Sequence, residues 1–289
     1  MFRRILWHVN RTPAAKAIKA ARRATSRSEL AERRALGKTL PRTEDSAAVV
    51  ANLRRDGFSR VDALIDPESL KALDEASREA GQAIGSASVF GGNKDHWRHL
   101  LDAHLVDGSL PADSPLARFA LQEPVLAALA EYYGELPRLD YVTVTYSGPA
   151  EGELRFSQLW HRDHDDTRVV KLFVYFTDVG EEDGPFTFLP ASESDKVGFS
   201  RRSHRPDAAI AASADLGKAV RMTGPRLSAF LVETSRCLHM GSRVAAGHER
   251  VMYTATFISS PRIFPERAKP FFRLAGSESA VERRVLLPG

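Results

Sequence analysis

The order in which helical and strand patterns occur along the chain constrains its fold most. Helical spacing predominates up to residue 134, whereas after Pro137 the pattern changes to short strands. The predicted strands are rich in β-branched and aromatic residues and cover 139–146, 169–176, 186–189, 229–232 and 251–258. Because helices precede strands without βαβ alternation, the sequence predicts a mostly β domain, an antiparallel sandwich or barrel flanked by helices.

Two of the predicted helices have recognisable ends. In the first, Asp66 is the expected N-cap, Pro67 occupies the first helical position, and Gly81 is the expected end. The second is expected over residues 123–134, where it stops at a glycine. Between them, residues 89–101 are predicted to form a loop that leads into another short helix.

Composition excludes several classes of protein. The chain has 289 residues, of which 43% are hydrophobic and 27% charged, as expected for a globular protein with a substantial core. No apolar run approaches the ~20 residues that a membrane-spanning helix needs. The single cysteine, Cys237, excludes an intrachain disulfide and fits a reducing compartment, so we expect a cytoplasmic location.

Positive charge is concentrated at the N-terminus. Residues 1–42 contain 12 Lys and Arg but only two acids, and because the whole chain carries +4, residues 43–289 carry −6. The sequence therefore predicts a basic, partly helical or disordered arm that ends at Arg42, followed by one mildly acidic domain over residues 43–289. No specific nucleic-acid binding is expected, because the domain itself has no basic surplus.

Two interpretations of the arm stay open. Its first apolar residues, Phe2, Ile5, Leu6 and Val9, recur at helical spacing. A basic amphipathic segment of this kind can lie on an anionic membrane surface, which would make the protein membrane-peripheral. The other interpretation is a solvated tail, which is common at charged chain ends.

A group of histidines and carboxylates is the most informative feature of the sequence. His161 and Asp163 are separated by one residue just before a predicted strand, so their side chains would project to the same side of an extended backbone. His239 follows the predicted strand 229–232 and is the best candidate for a third metal ligand. Two histidines and one carboxylate form a facial triad, which suits non-haem Fe(II) that binds a chelating cosubstrate and O2. A second pair of the same spacing, His164 and Asp166, competes for this role.

Arg250 lies 11 residues after His239, at the start of the last predicted strand. An arginine there could hold the distant carboxylate of a chelating 2-oxo acid through a bidentate contact, although a surface ion pair is the simpler interpretation. Thr254 and Thr256 share its side of the strand and could line the same cavity, as could Thr143 or Thr145, depending on strand register. Lys171 interrupts an apolar strand. A role in the site and a solvent-directed lysine at the sheet edge are equally good interpretations of it.

Three segments closely resemble the phytanoyl-CoA dioxygenase family of Fe(II)- and 2-oxoglutarate-dependent oxygenases. They are Leu-Trp-His-Arg-Asp at 159–163, Leu-Phe-Val-Tyr-Phe-Thr-Asp-Val at 172–179, and Asp-Gly-Pro-Phe-Thr-Phe-Leu-Pro-Ala-Ser at 183–192. Residues 56–61 and 64–68 are similar to that family's N-terminal strand and helix, and the resemblance extends over roughly residues 49–260.

The resemblance implies a double-stranded β-helix (a jelly roll, cupin-like) and the site residues. His161 and Asp163 match the first two iron ligands, in preference to the second pair, because of the tryptophan before them and the strand after them. His239 matches the distal ligand, and Arg250 matches the arginine that binds 2-oxoglutarate. The implied reaction consumes O2 and 2-oxoglutarate, releases succinate and CO2, and hydroxylates a small-molecule substrate. Because Asp163 is present, hydroxylation is favoured over halogenation.

Other functions are consistent with parts of this pattern. A jelly-roll protein can bind metal or a 2-oxo acid without catalysis, and the same ligands can hold zinc in a hydrolase. An adaptor that acts through its basic arm would need none of the ligands. The arginine-rich segment 197–215 could face an anionic substrate, but a solvated flexible loop is the more common interpretation of such a run.

Overall fold

Antiparallel strands form the centre of the protein. The computed structural model describes residue 12 and residues 14–82, 88–89, 97–241, 243–264 and 269–287. In chain order its strands are β1 (Phe58–Arg60), β2 (Ser88–Val89), β3 (Trp97–His99), β4 (Leu110–Pro111), β5 (Arg138–Ser147), β6 (Val169–Tyr175), β7 (Phe186–Phe188), β8 (Val220–Met222), β9 (Ala229–Glu233), β10 (His239–Met240), β11 (Arg250–Ile258) and β12 (Phe272–Arg273).

The strands form two antiparallel sheets that face each other. The larger sheet has the order β1-β9-β6-β11-β5-β3-β2, and the smaller has the order β10-β7-β8. Apolar side chains of β6 and β9 meet those of β7 between the sheets, with the rings of Phe173 and Phe186 4.5 Å apart. β4 and β12 form a separate parallel pair. The prediction of antiparallel sheets in a jelly roll with flanking helices is confirmed.

The helices lie before, between and after the strands. They are α1 (Ala14–Thr25), α2 (Arg27–Thr39), α3 (Glu44–Asp56), α4 (Pro67–Gln82), α5 (Pro115–Ala120), α6 (Glu123–Tyr133), α7 (Ala191–Ser194), α8 (Asp207–Ala211) and α9 (Ala280–Leu286). Asp66 caps α4 by accepting the Ser69 backbone N–H at 2.7 Å, as predicted. α6 ends at Gly134, whose φ of 74° is a left-handed conformation that glycine adopts without strain.

Alternation along β11 separates the two environments of the large sheet. Val251, Tyr253, Ala255 and Phe257 pack in the main core together with α6. Met252 belongs to the core between the sheets. Successive side chains of a strand point to opposite faces, so Val251, Tyr253, Ala255 and Phe257 share one face of the sheet and Met252 lies on the other.

The loop predicted over residues 89–101 is only partly correct. Residues 90–96 lie outside the described part of the chain, and a short 3-10 helix follows at Leu101–His104. Residues 97–99, however, form β3, which pairs with β5 at the edge of the large sheet. Local sequence did not predict this strand because its pairing partner lies far along the chain.

Residues 14–39 are not a solvated tail. The Lys19 ammonium of α1 lies 2.8 Å from a carboxylate oxygen of Asp166, and both side chains are almost fully buried. Arg23 pairs with buried Glu135 at 2.6 Å. Arg33 of α2 is fully buried and pairs with Glu29 at 2.7 Å. In the sequence these cations look like surface charges, but in the structure each is directed into the protein. The division at Arg42 stays a prediction.

Phe2, Ile5, Leu6 and Val9, on which the expectation of membrane-surface contact rests, lie outside the described residues. In the part of the chain that is described, no helix has both the length and the apolar character needed to cross a bilayer.

Candidate active site

Backbone pairing brings the predicted metal ligands together. His161 and His239 form an antiparallel bridge in which each backbone N–H donates to the other's carbonyl oxygen at 2.9 Å. The backbone N–H of Asp163 donates to the carbonyl oxygen of Thr234 at 2.9 Å. The segment that carries the His-x-Asp pair is thus fixed against the segment that follows β9.

The side chains of these three residues converge on one point. One ligand atom of each of His161, Asp163 and His239 lies within 4.8 Å of the others. His239 Nε2 is 3.7 Å from Asp163 Oδ2, and the two imidazole rings are 4.3 Å apart. Among the described residues, no other group of three or more His, Cys, Asp or Glu side chains is placed to hold a metal ion.

Backbone carbonyls orient both imidazoles for metal binding. His161 Nδ1 is 2.8 Å from the Leu159 carbonyl oxygen, and His239 Nδ1 is 3.0 Å from that of Cys237. Because a carbonyl oxygen only accepts hydrogen bonds, each Nδ1 must carry the proton and each Nε2 presents its lone pair to the site. A ligand histidine held in this way is typical of metal centres in proteins.

The protonation states also suit a metal ion. Burial lowers the pKa of His161 to about 3, and burial likewise lowers the pKa of His239, so both imidazoles are neutral at pH 7. Burial alone would raise the pKa of Asp163, but the positive charge of Lys171 and its contact with this carboxylate hold the pKa well below its ordinary value. Neutral histidines and an ionised carboxylate are the forms that bind metals.

Lys171 points into this site. Its ammonium nitrogen lies 2.7 Å from Asp163 Oδ2, and its side chain is only 15% exposed. The alternative of a solvent-directed edge lysine is therefore wrong. Burial on its own would lower the pKa of Lys171, but the negative charge of Asp163 raises it above the ordinary value, so the lysine stays charged.

Arg250 is a buried cation beside the same site. It is 1% exposed, and one of its terminal nitrogens donates to the Gly184 carbonyl oxygen. Its Nε has no hydrogen-bond partner, and no carboxylate of the described residues forms an ion pair with it. A buried guanidinium without an anion is costly, so this position fits the carboxylate of a bound acid. The simpler interpretation of Arg250 as a surface ion pair is wrong.

One cavity of about 690 Å³ joins these residues. It is lined by the three candidate ligands, by Lys171 and Arg250, and by Thr143 and Thr254, which are direct partners across β5 and β11. Thr145 also lines it, whereas Thr256 is not among its lining residues. Cavities of this size hold drug-sized ligands, so a 2-oxo acid would leave room for a second molecule.

The sequence predicts some of the further lining residues and misses others. The segment 89–101 is expected at the mouth of the active site, and its Trp97 and His99 do line the cavity, although they belong to β3 and not to a loop. Phe271, from the segment before β12, was not predicted. Tyr141 could have been found, because it shares a strand face with Thr143.

The competing pair is divided between two environments. His164 lines the cavity. Asp166 is 2% exposed and is held elsewhere, by the Lys19 ammonium and by the backbone N–H of Ile263, which donates to it at 2.9 Å. With its oxygens used in these contacts, Asp166 does not reach the point where the other three ligands meet.

The arginine-rich segment 197–215 is fixed close to the ligands. Arg205 and Trp160 exchange backbone hydrogen bonds of 3.0 and 2.9 Å, and the Trp160 indole N–H donates to Asp207 at 2.8 Å. The ring of His204 stacks on that of His161 at 4.8 Å. For residues 203–207, the interpretation as a solvated loop is therefore wrong.

Three solved structures are similar in fold. EctD from S. alaskensis, solved with 2-oxoglutarate and 5-hydroxyectoine, has 17% identity and a TM-score of 0.56, over 86% of this chain and 90% of that chain. AviO1 from Streptomyces viridochromogenes Tue57 has 16% identity and a TM-score of 0.53, over 78% and 100%. The epimerase SnoN, solved with Fe3+, alpha ketoglutarate and nogalamycin RO, has 17% identity and a TM-score of 0.51, over 75% and 84%.

Comparison with curated proteins finds no match. The family comparison does: residues 53–248 match phytanoyl-CoA dioxygenase (PhyH), which covers more than half of the chain. The matched range contains the three candidate ligands and Lys171, and it ends two residues before Arg250. The chain therefore belongs to the phytanoyl-CoA dioxygenase family and is a 2-oxoglutarate-dependent non-haem iron oxygenase.

Proposed function

We propose that the protein holds one Fe(II) ion through His161, Asp163 and His239, binds 2-oxoglutarate on Arg250, and hydroxylates a small molecule in the rest of the cavity. The observation that carries this proposal is the convergence of three ligand atoms within 4.8 Å of one another, in a cavity that also contains a buried arginine. When bound, the iron supplies O2 activation coupled to the conversion of 2-oxoglutarate to succinate and CO2.

The residues of the chain contribute position and charge. The backbone carbonyls behind His161 and His239 hold each Nε2 lone pair towards the ion. Lys171 holds Asp163 ionised and restricts its rotation through the 2.7 Å contact. Arg250 supplies a positive charge for the distal carboxylate of the 2-oxo acid, in a buried position where such a contact is strong.

Thr143 and Thr254 are proposed to donate hydrogen bonds to 2-oxoglutarate. Their register across β5 and β11 supports this, because directly opposite residues present their side chains on one face of the sheet. Phe173 and Phe186 line the same cavity and limit the access of water to it. Exclusion of water favours both the ionic contacts and a reaction confined to the bound substrate.

The proposed function implies two binding partners, a small-molecule substrate and the cosubstrate 2-oxoglutarate. Three of the twelve basic residues of the N-terminal region, Lys19, Arg23 and Arg33, are used in internal ion pairs. Their use in contacts inside the fold weakens the alternative of an adaptor that acts through this region. A cytoplasmic location and contact of the first residues with a membrane surface stay predictions.

The proposal is tested by anaerobic titration of Fe(II) and 2-oxoglutarate into the full-length protein, followed by oxygenated turnover scored as succinate. We expect His161→Ala to lose iron binding, because two remaining ligands hold the ion poorly. His164→Ala is the matched control: it removes a histidine that lines the same cavity and should retain iron. Equal loss of iron in both variants would contradict the assignment, and binding without succinate formation would indicate a non-catalytic binding protein.

A further inference from the structure

A small cleft of about 60 Å³ lies beside the main cavity. Arg162, Arg202 and Arg205 are among the residues that line it, and so is Ser203. Arg162, His164 and Ser203 line the main cavity as well, so the two spaces are neighbours. The cleft therefore adjoins the segment that carries the candidate iron ligands.

The cleft has positive charge without a compensating acid. None of the described residues that line it carries a carboxylate, and residues 197–206 contain three arginines and no Asp or Glu. Arg202 and Arg205 form no ion pair with any carboxylate in the described ranges. The nearest acids in sequence, Asp195 and Asp207, are each paired with a different arginine at 2.7 Å. Because the domain as a whole carries an acidic surplus, this charge is a local feature.

The backbone holds two of the three arginines in place. Arg162 donates to the carbonyl oxygens of Arg236 at 2.8 Å and Ser194 at 2.5 Å. Backbone carbonyls, and not a carboxylate, therefore hold its guanidinium group in position. Arg205 is fixed through its backbone pairing with Trp160. Burial lowers the pKa of the Arg205 guanidinium, which reflects the cost of keeping this charge partly desolvated. A bound anion would offset that cost.

We propose that this cleft binds a phosphate group of the substrate, and hence that the oxygenase acts on a phosphorylated small molecule whose reacting carbon lies in the main cavity. The inference rests on the proposed function, which makes that cavity the substrate site. Phosphate fits better than a carboxylate, because it carries more charge and has three terminal oxygens to meet several guanidinium and hydroxyl donors.

The first test uses inorganic phosphate as the probe. It is titrated calorimetrically into the anaerobic protein with Fe(II) and 2-oxoglutarate, at constant ionic strength, with acetate as a comparison anion. Saturable binding of phosphate is expected, and Arg202→Gln and Arg205→Gln should each weaken it about tenfold, the effect of one charge-assisted contact. Arg201→Gln is the matched control, because Arg201 is an exposed neighbour that does not line the cleft, and it should change affinity by less than about twofold.

The second test compares pairs of metabolites with and without a phosphate ester for stimulation of succinate release. Only the phosphorylated members should stimulate succinate release. In the calorimetric assay, pyrophosphate serves as a second probe that distinguishes a site for a diphosphate group from a site for a phosphate monoester. Iron and 2-oxoglutarate binding without saturable phosphate binding would overturn this inference and leave the proposed function intact. Equal weakening by Arg201→Gln, or acetate binding as tightly as phosphate, would also overturn it. Failure of the proposed function would instead appear as absence of iron and 2-oxoglutarate binding.

Discussion

Removal of the Lys19 ammonium should destabilise the whole protein. In Lys19→Met the side chain keeps its approximate length, but Asp166 loses a cation that lies 2.8 Å from one of its oxygens. The carbonyl oxygens of Ser259 and Pro261 lose the same donor. Removing one partner of a buried ion pair costs about 3–5 kcal/mol, because an uncompensated charge stays in the interior.

The lower end of this range applies here. Asp166 still accepts backbone N–H groups of Thr167 at 2.7 Å and Ile263 at 2.9 Å, which solvate part of its charge. We therefore expect a loss of about 3 kcal/mol in the free energy of unfolding. In urea this corresponds to a midpoint lower by about 1 M, for a denaturant slope of about 3 kcal/mol/M.

A second variant separates the charge from the packing. Burial lowers the pKa of Lys19 in spite of Asp166, so the desolvation of the lysine offsets much of what the pair contributes. Adding Asp166→Asn to Lys19→Met should therefore restore about 1–2 kcal/mol. Lys16→Met is the control, since Lys16 is exposed on the same helix. A Lys19→Met protein with the urea midpoint of the control would refute this reasoning.

Two further predictions concern the candidate site. Arg250→Ala should raise the dissociation constant of 2-oxoglutarate about 100-fold in anaerobic titrations, because a buried charge-assisted contact is lost, while iron binding changes little; an unchanged constant would assign the contact to another residue. Lys171→Met should weaken Fe(II) binding by about 10- to 100-fold, as expected when a group that holds a ligand carboxylate is removed. Lys171→Arg should restore part of this affinity, and equal affinities in both variants would exclude a role in positioning Asp163.

Much of the fold followed from short-range patterns. The N-cap at Asp66 and the stop at Gly134 depend on which residues satisfy or tolerate the ends of a helix, and this is a local property. The strand predicted over residues 251–258 is β11, because a run rich in β-branched and aromatic residues favours an extended backbone locally. The strand at 97–99 did not follow, because it exists through pairing with β5.

The candidate site shows the same division. The sequence contained two His-x-Asp pairs, which spacing alone did not distinguish. The structure separates them through a distant residue, since Lys19 of α1 holds Asp166 while Asp163 meets His239. The inward direction of Lys171 was also undecided in the sequence, where a lysine in a strand is equally consistent with exposure.

The sequence by itself determined the residue types, the strand faces and the family pattern, because these depend on neighbours within a few positions. Tertiary structure decided which distant groups meet: His161 with His239, Lys19 with Asp166, and the arginines of the cleft with the cavity. The physical reason is that a buried charge pairs with a group that the fold brings within a few ångströms of it. The number of residues between two groups in the sequence does not determine how far apart they lie in the folded protein.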